Sequence, residues 1–231
     1  MEHCKYCGCI GLFFGLDKSG LCASCRHMAS LEIGLRSAAV REASRKVETT
    51  LNPQSKIAGL DIVVENLQAL TKYEERGIPT IEGSPAAMLE EARREQVELI
   101  LETARSERGE LLAQAEKVQD FEAKRRLYAG FLLRIAEYRS KLDDPAPLDE
   151  LQRQVHRVVH QVQLDAVVRL AMESESAGRK EEAVKRYREA VEFLKKADVD
   201  SDFRTSQMLK LNAKVKKLAG KASKPGAAGA T

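Results

Sequence analysis

The sequence predicts a mainly α protein. A small N-terminal ribbon built around a short β-hairpin comes first. Long helices in a coiled-coil-like bundle follow, and a helical hairpin module ends the fold. Three observations lead there. All five cysteines lie within the first 25 residues. From about Met28 onward, apolar residues recur every three or four positions, the spacing of one helix face. Aromatic residues make up 5% of the chain, with no Trp, against 32% charged residues. That balance favours long amphipathic helices over a compact enzyme core. The expected organisation is a ribbon over 1–27, a helical bundle over 28–142, a three-helix module over 148–219 and a disordered tail over 220–231.

The ribbon rests on Cys4-x2-Cys7 and Cys22-x2-Cys25, separated by fourteen residues. A CxxC turn aims both of its sulfurs at one point, and two such knuckles supply the tetrahedral thiolate set of a structural Zn²⁺. Gly8 follows the first knuckle, where a positive φ is often required. The run Gly11–Leu16 is β-prone, and Asp17-Lys18-Ser19-Gly20 is a turn signal that returns the chain to the metal. So small a piece cannot fold on apolar burial alone, so one structural zinc is expected to hold it. Cys9 is a spare thiol able to replace Cys7, and His3 and His27 flank the site. Four thiolates leave no open coordination position, and the βαβ context of a redox dithiol is missing.

In the first expected helix, Leu31, Leu35, Ala39, Ala43 and Val47 form one stripe, ended by Asn52-Pro53. Ile57, Leu60, Val64, Leu67 and Leu70 form the next, ended by Arg76-Gly77-Ile78-Pro79. Ser84-Pro85 is a helix start. The region 85–142 has no internal Pro and carries two seams. One runs through Val97, Ile100, Ala104, Leu111, Ala115 and Val118, the other through Tyr128, Phe131, Ile135, Tyr138 and Leu142. As one helix it would be about 87 Å long, so either a rod or a break near Gly109 or Gln119-Asp120 is expected. Asp143-Asp144-Pro145-Ala146-Pro147 reads as a linker and domain boundary. Leu151, Val155, Val158, Val162 and Val167 then form a helix seam running towards Gly178.

Between Leu164 and Ala197 the small residues Ala171, Ala183 and Ala190 allow close helix approach, Gly178 allows a tight turn and Tyr187 fills space. Glu182-Ala183-Val184-x-x-Tyr187-x-x-Ala190 resembles a tetratricopeptide repeat, whose unit is about 34 residues. Only one copy is visible, the early aromatic position holds Val167, and the closing Pro is missing. A three-helix module is therefore expected, with Met208, Leu211, Val215 and Leu218 docking its last helix. It also looks like a microtubule-interacting-and-transport-type domain. Both families bind peptides or partner helices, which implies a protein partner and makes Gly178 and Tyr187 the candidate partner-binding residues.

Net charge is only +3, but Phe203–Lys224 carries seven basic residues and no acidic one. Lys210, Lys214, Lys217 and Lys221 share a helix face, so nucleic acid is the alternative partner. The same pattern is common on a solvated face near a helix C-terminus. His156 and His160 lie one turn apart, but no Glu follows His156 and the metalloprotease motif is absent. No phosphate-cradling loop or nucleophile elbow is present, so no enzyme is expected. With no long apolar run and no signal segment, the reading is a cytoplasmic protein with no membrane partner, and self-association through the long helices is open.

The opening CKYCG…GLFFGLDKSGLCASC, together with LTKYEERGIPTIEGSP at Leu70–Pro85, resembles the ribbon at the front of uncharacterised bacterial and prophage-associated proteins. The resemblance covers roughly the first 90 residues. It implies zinc and a bacterial cytosolic setting, and it carries no activity.

Overall fold

The computed structural model describes residues 3–10, 15–197, 199 and 201–222, with side chains up to residue 219. Among these residues there are seven helices: α1 Ala23–Thr49, α2 Pro53–Glu75, α3 Pro85–Lys117, α4 Phe121–Ser140, α5 Ala146–Ser176, α6 Lys180–Lys196 and α7 Ser201–Ala222. The mainly α expectation holds. The only β pairing among the described residues is one antiparallel bridge, His3 to Ile10. Residues 11–14 of the β-prone run lie outside them.

The chain forms two compact units, Met1–Ala104 and Arg105–Thr231. The division falls inside α3, which corrects the boundary expected at Asp143–Pro147. That segment is a turn inside the second unit. Its prolines punctuate α4 and α5, which pack on each other. Leu142 and Leu148 are buried beside the turn, and Arg139 pairs with Asp149 across it.

In the first unit α1 and α2 are antiparallel neighbours. Asn52 caps α2 by accepting a hydrogen bond from the Ser55 N–H at 3.0 Å, with Pro53 at the first helical position. Gly59 brings the two helices close, since a Cβ there would stand 2.6 Å from Val47 Cγ2. Val40, Ala43, Val63, Leu67 and Leu70 form the core with Ala92 of α3. The α1 stripe is rotated from its expected position. Ala29, Ser37, Val40, Ala43 and Val47 are buried, whereas Leu31 and Leu35 are 57% and 66% exposed. The side facing α2 is set by small residues that permit close packing, and leucine bulk on another face does not compete with it.

In the second unit the long region breaks where Asp120 offers a cap, its carboxylate accepting from Ala123 N–H at 2.7 Å. Gly109 stays helical. The α4 seam of Tyr128, Phe131, Ile135 and Tyr138 is buried as expected. Glu107 accepts from Tyr138 Oη at 3.0 Å and from Arg134 Nε at 3.1 Å. α5, α6 and α7 share a core of Leu164, Ala171, Ala183, Tyr187, Leu194 and Leu211, with Met208 and Val215 packed against it. α4 packs on α5 as a further helix of this unit.

Candidate metal centre

The first knuckle is a tight turn. Cys4 N–H donates to Cys9 O at 2.9 Å, and Gly8 N–H donates to Cys4 O at 2.8 Å. Gly8 takes φ +73°, which a side chain would oppose. The second knuckle is delivered by an Asx turn: one Asp17 carboxylate oxygen accepts from both Ser19 N–H and Leu21 N–H at 2.9 Å. Lys5 N–H to Gly20 O, 3.0 Å, sews the two turns together. Cys22 then stands at the N-cap of α1, and Cys25 lies in its first turn.

This brings one sulfur each from Cys4, Cys7, Cys22 and Cys25 within 4.8 Å of one another, a group able to hold a metal ion. Cys9 is outside the group, as are His3 and His27, so the regular pair of knuckles is the assembled set. The electrostatics suit a cation. Burial alone would raise the Cys4 thiol, but the backbone amides of Cys7, Cys22 and Tyr6 outweigh it and bring it down to about 6. One of these is the Cys22 N–H, 3.4 Å from the Cys4 sulfur. Burial, then the neighbouring Cys22, Cys7 and Cys4 thiols, push Cys25 up. Four thiols this close resist joint ionisation until a positive charge stands between them.

The centre is not a free-standing ribbon. α2 ends in a Schellman turn: Ile78 N–H bonds Tyr73 O at 3.0 Å, Gly77 N–H bonds Glu74 O at 2.7 Å, and Gly77 takes φ +69°. Lys5 Nζ donates to the Gly77 carbonyl at 2.8 Å. The Tyr6 ring stacks on Tyr73, and the Arg76 guanidinium lies 5.8 Å from the Tyr6 centroid. Cys4, Leu21, Ala29, Tyr73 and Ile78 form one small core. Tyr73 Oη donates to Glu32 at 2.5 Å, tying α2 to α1. This hydrogen bond, with that from Arg36, holds the Glu32 carboxyl below its ordinary range. Sequence reasoning missed this docking. The available signal was Tyr73 spaced five residues before Ile78 around a helix-ending Gly77.

The other candidate residues take structural positions. Gly178 (φ +76°) is the positive-φ turn after α5, with Arg179 N–H bonded to Ser174 O at 2.9 Å. Tyr187 is 1% exposed, and its hydroxyl donates to Glu175 at 3.0 Å. Both residues build the hairpin: Tyr187 is buried inside it and not available to a partner, whereas Gly178 forms its exposed turn. A ring large enough to fill the gap between two close helices is consumed by that packing. Lys210 and Lys217 are exposed, but Lys214 Nζ reaches Glu175 at 3.4 Å, so the lysine face is partly neutralised. The Lys221 side chain lies outside the described residues. His156 and His160 stack at 6.3 Å, and His160 meets Phe193 edge-on; no third ligand joins them among the described residues. No described helix is long and apolar enough to cross a membrane.

No protein-family model, curated protein or solved structure matches the chain.

Proposed function

We propose that this protein is a non-enzymatic adaptor in which one zinc ion staples the N-terminal knuckles to a helical hairpin, while its C-terminal helical module engages a protein partner. The observation that carries the reading is the four-sulfur group. Tetrahedral Zn–S bonds of about 2.3 Å would place sulfurs about 3.8 Å apart, within the observed limit of 4.8 Å. All four positions would be filled by protein, which suits a structural ion and leaves no place for a substrate or activated water.

The module offers an open, mainly apolar groove of about 410 Å³ lined by Phe121, Val167, Leu170 and Phe193. Its size falls in the range of binding clefts, and Leu170 is 43% exposed at its edge. This surface, not the Gly178–Tyr187 corner, supports the adaptor reading.

Two measurements test the proposal. Metal analysis should find about one zinc per chain, lost in Cys22→Ser; near-stoichiometric zinc in that variant overturns the ligand assignment. Affinity capture from the native host should recover a protein with the wild-type chain and not with Leu170→Asp. Recovery of nucleic acid that falls steeply with salt would favour the reading in which the knuckles and the lysine-rich α7 bind phosphates.

A further inference from the structure

The first unit contains a second groove, of about 850 Å³, that neither the metal centre nor the helical module uses. One wall is a face of α1 with exposed Arg26, Ser30, Gly34 and Arg41 and buried Ala29 and Ser37. The other is the segment 78–82, and the turn Asp17–Leu21 closes one end. The groove stays open because the α1 face is small and polar. Half-buried Ile33 and Ile81 supply apolar surface along it.

Two features point to what would lie there. Arg26 and Arg41 stand at opposite ends of the α1 wall, and neither has a carboxylate partner among the described residues. Two anionic side chains of the groove must be set against them. Asp17 is engaged in capping Ser19 and Leu21, which leaves exposed Glu82 as the other. Gly34 is the second feature. A mid-helix Gly is disfavoured relative to Ala, yet a Cβ there would meet nothing within 4 Å. The packing of this chain therefore gives no reason for its smallness.

Dimensions select the occupant. Fifteen residues of α1 separate the two arginines, about 22 Å of helix. A docked helix would need a continuous apolar stripe to lie on, which this small, polar wall lacks. An extended chain, which covers about 22 Å in seven residues, fits.

We propose that this groove binds an extended peptide segment of a partner protein, apolar in its middle and carrying carboxylates towards both ends that meet Arg26 and Arg41. The site lies on the first unit and does not depend on the groove at Leu170, so the two can fail separately.

The test is selection from a display library of random twelve-residue peptides on the zinc-loaded full chain, with the Gly34→Leu chain as counter-target. Peptides enriched on the wild type should carry Asp or Glu towards both ends. They should bind Gly34→Leu at least about tenfold more weakly, and Arg26→Glu and Arg41→Glu each about three- to tenfold more weakly at low salt. Circular dichroism and zinc content establish that Gly34→Leu is folded. If it is not, the exposed double variant Arg26→Glu/Arg41→Glu replaces it as counter-target. Enrichment of basic or uncharged peptides, equal enrichment on the counter-target, or no wild-type-selective peptide would overturn the proposal. Self-association of the chain that Gly34→Leu abolishes would also overturn it, making a second copy the occupant.

Discussion

Tyr6, the residue just before Cys7 of the four-cysteine group, stacks on Tyr73 of α2 with ring centroids 6.0 Å apart and planes 18° from parallel. Through this pair the knuckle and the helical hairpin share one core. An aromatic pair of this geometry contributes about 0.5–1.5 kcal/mol beyond its buried area. Tyr6→Ala should therefore lower the melting temperature of the first unit by several degrees while leaving one zinc bound. Faster zinc loss to a chelator in that variant, at unchanged stoichiometry, is the accompanying expectation.

Metal removal should act on the first unit. Hydrogen exchange with and without a strong chelator should show lost protection at the start of α1 and the end of α2, where Cys22, Cys25 and Tyr73 meet. Protection in α5 to α7 should be unchanged, since their core contains no residue of the knuckles. Equal loss in both units would refute this separation.

Gly59→Ala tests the close approach of α1 and α2. Helix propensity alone would favour Ala by about 1 kcal/mol. The added methyl would meet Val47 Cγ2 at 2.6 Å, and a β-branched side chain has few rotamers in which to escape. Net destabilisation of about 1–2 kcal/mol is expected in a denaturant titration. Val47→Ala should relieve it, so that the double variant is more stable than the two single effects would add up to.

The second unit should lose stability in acid through Glu175. Tyr187 donates to this carboxylate and Lys214 lies 3.4 Å away; together they hold its pKa below the ordinary value. A depressed carboxylate contributes stability that is complete above its unfolded pKa, about 4.3. The contribution is lost as pH falls through the lower folded pKa. Glu175→Gln should flatten the acid limb of a stability-versus-pH curve. Tyr187→Phe should cost about 1 kcal/mol at neutral pH for the lost hydrogen bond.

Local chemistry was legible in the chain. Two CxxC turns carry their own backbone geometry, Asn52-Pro53 and Asp120 carry their caps, and Gly178 carries its turn, because each depends on residues a few positions away. These signals located the four-cysteine group and the helix boundaries at Asn52-Pro53, Asp120 and Gly178 without reference to anything distant.

Which face of each element is used depends on packing between distant parts of the chain. Leu31 and Leu35 make as good an apolar stripe as Ala29, Val40 and Val47, but close packing against Gly59 selects the smaller side chains. Tyr187 has the chemistry of a recognition residue and lies buried, because α5 and α6 close over it. The knuckle reads as an autonomous ribbon until Lys5 and Tyr6 are seen on the end of α2, more than sixty residues away. Such contacts depend on how whole surfaces fit together, and no spacing rule along the chain encodes that. The four sulfurs and the helices follow from local residue chemistry; packing set the four-cysteine group against the end of α2, within the first helical unit.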